Sequence, residues 1–208
     1  MAKLESNLKN MVLSLVLISM GMSAALGYVY VLTKGPIEKA NKEKEVEAVK
    51  MVLPDFDNDP VKDMKEIDGL FFYPASKGGQ TVGYAVNTFT DKAFSGKFTL
   101  MVGFLPDGTI NKSMVLDQKE TPGLGTKMKE PKFYKQFEGK NPAIFKMMVK
   151  KDGGEVDAIS AATISSRAYC DAINKAYQLF MKEFKKDAQI VKDSTSLVNV
   201  NETNKKED

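Results

Sequence analysis

The longest apolar stretch of the chain lies near its start. No charged residue occurs in residues 11–32. A run of about twenty apolar residues is the length that an α-helix needs to cross the hydrocarbon core of a membrane. Tyr28 and Tyr30 suit the boundary between lipid and water. A cleaved signal peptide is the alternative, but its apolar region is shorter, about 7–15 residues. The pattern favours a permanent transmembrane helix within residues 1–33.

A charged segment follows the span and predicts a second helix. Pro36 suits the first turn of such a helix, and Pro54 marks its end. Glu38 and Lys42 form a favourable pair one turn apart, whereas the apolar face between the two prolines is thin. We expect residues 34–60 to form a stalk helix and a linker that lift the following domain off the membrane.

Alternating apolar and polar residues in the middle of the chain predict β-strands. Residues 81–89 and 97–104 have this pattern, and a Pro-Asp-Gly turn at 106–108 precedes a third strand at 109–116. In 97–104 the alternation predicts a strand with one buried face. Residues 133–149 show a mixed helix and strand pattern.

A helix is expected from about Thr163, with one apolar stripe formed by Ile173, Tyr177, Phe180 and Phe184. The predicted fold class is therefore α+β, with a mainly antiparallel sheet flanked by helices in a domain of residues 61–186. Residues 187–208 lose aromatics and fill with polar residues, so we expect a disordered tail.

The composition restricts the chemistry. The 208 residues include no His and one Cys, Cys170. These absences exclude Ser-His-Asp catalysis, His-ligated zinc or haem, an intramolecular disulfide, and an iron–sulfur cluster ligated within the chain. We expect Cys170 to be a small buried hydrophobe. The net charge is +3, but Lys and Glu interleave without a basic stripe, which does not favour nucleic-acid binding. A redox group would have to be organic or lie on a partner.

Small and hydroxyl residues are concentrated where the last helix is expected to begin: Ser160, Ala161, Ala162, Thr163 and Ser165. The free N–H groups and the dipole of a helix N-terminus favour an anion. Arg167 is placed one turn after Thr163 and could pair with a phosphate. The alternative is an ordinary helix cap by Ser160 or Thr163 with a solvated Arg167.

The run DAISAATISS at 157–166 resembles the flavinylation motif of a family of FMN-binding domains, found in the G subunit of the Rnf complex and in NqrC of the sodium-pumping quinone reductase. The resemblance implies that Thr163 is joined to FMN through a phosphoester, installed by a flavin transferase that uses FAD. Ala161 stands where that family usually has Gly. Ala is harmless there if only a small residue is needed, and costly if the backbone requires a positive φ. The fit of the remaining motif favours the first alternative.

A second segment resembles the E-T-P-G-L-G loop of the same domains; it consists of Glu120, Thr121, Pro122, Gly123, Leu124 and Gly125. Its glycines would let the backbone approach a flat ligand and offer N–H donors to flavin carbonyls, and Leu124 would lie on the ring. A plain Pro-Gly turn with a buried Leu is the alternative.

The resemblance covers residues 83–186, and the chain length and the Ile-Ser-Ser-Arg continuation favour the Rnf G subunit over NqrC. It implies a covalent FMN that relays electrons to other membrane subunits of a ferredoxin:NAD⁺ oxidoreductase moving Na⁺ or H⁺. It also implies that the FMN domain lies on the outer face of the cytoplasmic membrane, an orientation that lysine counts leave open. A flavin-free, membrane-anchored binding or assembly module of the same fold is the alternative, and Ala161 is its best support.

Overall fold

The computed structural model describes residues 7–203 of the chain, and the side chains of residues 7–183. The chain divides after Glu45 into two compact units. The first element is helix α1 (Leu8–Val52), which is long and apolar enough to cross a membrane over one 18-residue window that is not buried within the protein.

Helix α1 runs through Pro36 without ending, so the predicted start of a separate stalk helix at this proline is wrong. A proline inside a helix removes one backbone hydrogen bond. Gly35 beside it is also a poor helix former, but the following Glu38, Lys39 and Ala40 favour a helix, and the ion pairs Lys34–Glu38 and Lys39–Glu43 span the same turns. Glu38 therefore pairs with the lysine before the proline rather than with Lys42.

A five-stranded antiparallel sheet forms the centre of the second unit, and its strands are neighbours in chain order. Their bounds are β1 (Lys65–Ile67), β2 (Leu70–Lys77), β3 (Gln80–Thr90), β4 (Phe98–Phe104) and β5 (Ile110–Asp117). The last three confirm the predicted strands. The first two were not predicted: β1 lies in a polar, turn-rich stretch, and β2 contains Pro74. Strand β1 pairs with β2 only as far as Phe72, so no strand lies beside Pro74 on that edge. The Pro74 carbonyl accepts a hydrogen bond from the Asn58 side chain instead. The lack of an N–H on Pro74 therefore costs the sheet no hydrogen bond.

The sheet is covered on both faces. One face packs against helix α3 (Thr163–Thr203) and contains most of the aromatic core. The other face packs against the end of α1, where Ala48, Val49 and Val52 are buried. Strand β4 is therefore buried on both sides, and Met101 is fully buried although the alternation predicted an exposed face.

The end of α1 fits closely onto this second face. A Cβ on Gly103 would overlap the carbonyl of Val52, so only glycine permits the contact. The Asn111 side chain donates a hydrogen bond of 2.8 Å to the same carbonyl. Residues 46–52 are therefore part of the folded domain, which the predicted stalk of residues 34–60 placed outside it.

Between β5 and α3 the chain forms short helical turns: residues 125–129, helix α2 (Pro131–Tyr134), and residues 135–137 and 150–152. In the predicted mixed region the part described by the structure contains no strand, only an isolated bridge between Val149 and Val156. Helix α3 begins at the predicted residue and buries Ile173 and Phe180. Its backbone is assigned to Thr203, but side chains beyond residue 183 and all of residues 204–208 lie outside the described part. The predicted disordered tail there stays a prediction.

Candidate functional site

The two sequence segments that resemble flavin-binding motifs meet at one cleft. We call residues 120–125 the glycine loop and residues 160–165 the threonine segment. The cleft between them has a volume of about 310 Å³ and is lined by Phe94, Glu120, Thr121, Leu124, Gly125, Ala161, Ala162, Thr163, Ile164 and Ser165. Nine of these ten residues belong to the two segments by number, and Phe94 lies outside them. Ile164 and Phe94 were not predicted as site residues from the sequence. We call this the Thr163 cleft.

Glu120 joins the two walls of the Thr163 cleft. Its carboxylate is buried, and one oxygen accepts a 2.6 Å hydrogen bond from the Ser165 hydroxyl on α3. The other oxygen accepts a 2.8 Å hydrogen bond from the backbone N–H of Ser95, in the loop between β3 and β4. Buried carboxylates need such donors, because an unpaired polar group inside a protein is costly. One side chain thus holds three segments together.

Gly125 makes this arrangement possible. A Cβ at residue 125 would lie 2.8 Å from the Ser165 hydroxyl oxygen and 2.7 Å from the Glu120 Cβ, and it would also overlap a carboxylate oxygen of Glu120. The glycine is therefore required by packing inside the protein. The sequence assigned both loop glycines to close approach of a ligand, which for Gly125 is not the reason the geometry shows.

The other glycine of the loop is needed for backbone conformation. Gly123 has a φ of 75°, in the left-handed region that favours glycine. Its N–H donates to the Thr126 hydroxyl, and the N–H of Leu124 donates to the Thr121 carbonyl. Both N–H groups are therefore used inside the loop, although the Gly123 N–H was expected to be a donor to a flavin carbonyl. Leu124 lines the cleft and is 40% exposed, whereas Pro122 and Gly123 are exposed and do not line it.

Thr163 is the first residue of α3 and is half-buried at the wall of the cleft. Among residues 7–183, its hydroxyl makes no hydrogen bond, and neither does that of Ser160. The helix cap considered from the sequence is thus not formed by either residue. The Ser166 hydroxyl, inside α3, accepts from the N–H of Ile159 and donates to the carbonyl of Ala162, so it fastens the turn before the helix and does not cap the helix.

The first turn of α3 has free donors beside the Thr163 hydroxyl. Within the described part of the chain, the backbone N–H groups of Thr163, Ile164 and Ser165 make no hydrogen bond. These groups and the helix dipole give this end of α3 a partial positive charge. The arrangement suits an anionic group attached at or near residue 163.

Ala161 has a φ of 61°, in the left-handed region. The sequence-based preference for a position that needs only a small side chain is therefore wrong. A residue with a Cβ pays about 1–2 kcal/mol in this conformation, because the Cβ crowds a backbone oxygen. A glycine would adopt it without that cost. The departure from the family pattern is consequently a strained position.

Arg167 does not face the Thr163 cleft. Its Nε and Nη2 each donate a 2.7 Å hydrogen bond to the carboxylate of Asp152. The Arg167 hydrogen bond holds the pKa of Asp152 below its usual value, and the same bond raises the pKa of the arginine. The geometry does not support the predicted pairing of Arg167 with a phosphate in the cleft.

Two further predictions concern neighbouring residues. Ser160 is exposed and lines a separate cleft with Lys127 and Lys132 rather than the Thr163 cleft. Cys170 is buried, as predicted, and burial raises the pKa of its thiol to about 12. No group of His, Cys, Asp and Glu side chains suited to a metal ion occurs among the described residues.

Comparison with known proteins connects this site to a cofactor. Residues 94–178 match a family model described as an FMN-binding domain, and this range includes both walls of the Thr163 cleft. The G subunit of the Na⁺-translocating ferredoxin:NAD⁺ oxidoreductase complex of Acetobacterium woodii is 30% identical over 81% of this chain and 89% of its own length. The G subunit of the ion-translocating oxidoreductase complex of Methanosarcina acetivorans is 33% identical over 83% of this chain and 94% of its own length.

Among solved structures, the crystal structure of NqrC from Shewanella oneidensis covers 64% of this chain and 70% of its own, at 20% identity and a TM-score of 0.46. The fold and the site define an electron-transfer protein with an FMN-binding domain and, among the described residues, one helix that could span a membrane. The chain belongs to the family of G subunits of ion-translocating oxidoreductase complexes. It is thus a subunit of a redox enzyme complex, and within residues 7–203 it has one helix long and apolar enough to cross a membrane.

Proposed function

We propose that this chain carries one FMN, joined through its phosphate to the Thr163 hydroxyl, and relays electrons within an Rnf-type ferredoxin:NAD⁺ oxidoreductase that moves Na⁺ or H⁺. The observation that carries the proposal is the Thr163 hydroxyl itself. It lies at the wall of a cleft, makes no hydrogen bond within residues 7–183, and belongs to one of the two segments that meet there and resemble flavin-binding motifs. FMN supplies one- and two-electron chemistry when bound, and the protein supplies orientation and environment.

The start of α3 is suited to hold the phosphate of the cofactor. The N–H groups of Thr163, Ile164 and Ser165 are available in the described structure, and the helix dipole favours a negative charge at this end. Arg167 is not needed for this role, since its guanidinium is paired with Asp152. The chain therefore neutralises the phosphate mainly with backbone dipoles rather than with a cationic side chain.

The opposite side of the cleft is suited to a flat ring. Leu124 and Ile164 are 40% and 46% exposed at the cleft, and an isoalloxazine would cover apolar surface that otherwise faces water. A hydrophobic wall with a few polar groups is typical of cofactor sites. The residues present therefore fit both ends of FMN.

Attachment requires a second protein. Transfer of the FMN phosphoryl group from FAD to the Thr163 oxygen releases AMP, and by resemblance a flavin transferase performs this step. Thr163 is only half-buried, so the acceptor hydroxyl is accessible to such an enzyme. The other proposed partners are the membrane subunits of the same complex. By the same resemblance the FMN domain faces the outer side of the membrane, where a covalent bond prevents loss of the cofactor.

The test is the fluorescence of the protein band in a denaturing gel after co-expression with the flavin transferase. Wild type is expected to fluoresce under ultraviolet light, and Thr163→Ala is expected to be dark because it lacks the acceptor oxygen. Thr121→Ala is the matched control, since this threonine also lines the cleft but starts no helix. Intact mass should show the addition of FMN minus water in wild type and in this control, and not in Thr163→Ala.

A dark wild-type band without the added mass would contradict covalent attachment and favour the flavin-free binding module. The specific observation behind that second function is the strained Ala161, one position inside the motif. A fluorescent Thr163→Ala would instead place the attachment on another residue.

A further inference from the structure

Phe94 is an exposed aromatic residue at the Thr163 cleft. It lies in the loop between β3 and β4, and 69% of its surface is accessible. It lines the same cleft as Leu124 and Ile164, which come from the glycine loop and from α3. Three large apolar side chains from three segments thus line one opening, and each is exposed to solvent in the absence of a ligand.

The loop that carries Phe94 is held from inside the protein. The next residue, Ser95, donates its backbone N–H to one oxygen of the Glu120 carboxylate at 2.8 Å. The other oxygen of Glu120 binds the Ser165 hydroxyl, two residues after Thr163. A single buried carboxylate therefore sets the distance between the Phe94 wall and the threonine segment.

This link is rigid. Glu120 is 5% exposed, and its side chain packs against the Cα of Gly125, where a methyl group would already collide with it. Both carboxylate oxygens accept hydrogen bonds from groups whose own segments are anchored, one in a loop beside β4 and one in α3. Charge-assisted hydrogen bonds of this kind are shorter and stronger than neutral ones.

A phosphoester to Thr163 fixes only one end of FMN. The ribityl chain between phosphate and ring has several rotatable bonds, so the ring stays mobile unless the protein walls hold it. We propose that Phe94 packs against the isoalloxazine ring, and that Glu120 is the positioning residue that holds Phe94 and the start of α3 at the spacing the ring requires. This inference rests on the proposed function.

The test uses the full-length chain in detergent, loaded by co-expression with the flavin transferase. Fluorescence anisotropy of the bound flavin reports ring mobility, and quenching by iodide reports ring exposure. Phe94→Ala removes the proposed wall, and Glu120→Ala removes both hydrogen bonds. Each is expected to lower the anisotropy and to raise the iodide quenching constant by about twofold or more, because stacking on the ring is lost.

Two further variants separate positioning from general damage. Glu120→Gln keeps an acceptor for the Ser95 N–H and offers an N–H to the Ser165 oxygen, so it is expected to restore wild-type quenching and anisotropy. Glu66→Ala, at an exposed glutamate of β1, is the matched control and should change neither. A purely structural role of Glu120 would lower the melting temperature without making the ring of the folded fraction more exposed.

Unchanged quenching in Phe94→Ala overturns the inference, and this variant does not depend on the core because its side chain is exposed. Changed quenching in Phe94→Ala with none in folded Glu120→Ala overturns the positioning role. If Glu120→Ala does not fold, Ser165→Ala, which removes only the bond on the α3 side, decides the point by the same measure. A dark gel band would be a failure of the proposed function, which these measurements on flavin-loaded protein distinguish from failure of the inference.

Discussion

At the scale of single residues, Ala161 combines a side chain and a backbone conformation that disfavour each other. Glycine adopts its φ of 61° without steric cost, whereas in alanine the Cβ lies too close to a backbone oxygen. The surrounding turn imposes this conformation, since the N–H of Ala162 is bound to the carbonyl of Ile159 and Ser166 binds both residues. The strain is therefore held by the fold around it.

We expect Ala161→Gly to stabilise the protein. Relief of the left-handed strain contributes about 1–2 kcal/mol, and the greater freedom of glycine in the unfolded chain removes about 0.4–1 kcal/mol of that gain. The net gain of about 1 kcal/mol should raise the melting temperature by about 2–4 °C for a chain of this size. Thermal unfolding of the full-length protein in detergent, followed by circular dichroism, measures the shift.

Ala162→Gly is the matched control for this prediction. It makes the same change one position later, where the residue is buried and its φ is negative. Here glycine should lower the melting temperature, because it loses a packed methyl group and gains freedom in the unfolded chain. A lower melting temperature for both variants would show that the backbone at residue 161 is not strained.

At the scale of secondary-structure elements, the end of α1 is the second layer of the domain. Ala48, Val49 and Val52 cover a sheet face that includes Tyr73 and Met101, all of them buried. Removing this layer would expose a contiguous apolar face, which soluble domains avoid because it promotes association. The boundary of the folding unit therefore lies before residue 46, inside what the sequence predicted as a stalk.

Two truncations test this boundary. A chain that begins at Val46 keeps the covering residues and should be soluble, monomeric and cooperative in thermal unfolding. A chain that begins at Asp55 lacks them and should aggregate, because several buried side chains worth about 1.5 kcal/mol or more each are then exposed. Size-exclusion chromatography of the two proteins is the measurement. Equal behaviour of both would show that residues 46–54 are not needed for the fold.

At the scale of the whole molecule, the orientation of the span decides on which side of the membrane the FMN-binding domain lies. The apolar window of α1 is not buried within the protein, which suits a surface that faces lipid. Lysines occur on both sides of the span in the sequence, so the charge rule alone does not orient it. The proposed outward orientation of the domain rests on the family resemblance.

Cysteine labelling on intact cells tests the proposed orientation. Wild type should not react with a membrane-impermeant maleimide, because Cys170 is buried and its pKa is raised to about 12. Lys151→Cys, at an exposed position of the domain, should be labelled on intact cells if the domain faces outward. Ser6→Cys, before the span, should be labelled only after lysis. The opposite pattern would place the domain in the cytoplasm.

The sequence by itself determined the features that depend on neighbouring residues. The apolar run, three of the strands with the turn at 106–108, and the start of α3 follow from local patterning, and the structure has them. The motif residues also stood out, since their resemblance lies in short continuous strings. However, the local sequence pattern does not predict which residues line the Thr163 cleft together, because they come from segments far apart in the chain.

Only the tertiary structure decided what each motif residue does. Residue 125 must be glycine because a Cβ there would collide with Glu120 and Ser165. Arg167 forms an ion pair with Asp152, which lies in a separate turn. The second covered face of the sheet and the wall at Phe94 likewise arise from long-range packing. Side chains compete for hydrogen-bond and ion-pair partners in three dimensions. A side chain that has no partner nearby in the sequence therefore often binds one from a distant segment in the fold. Thr163 is the residue that the sequence motif marks and whose hydroxyl makes no hydrogen bond within residues 7–183.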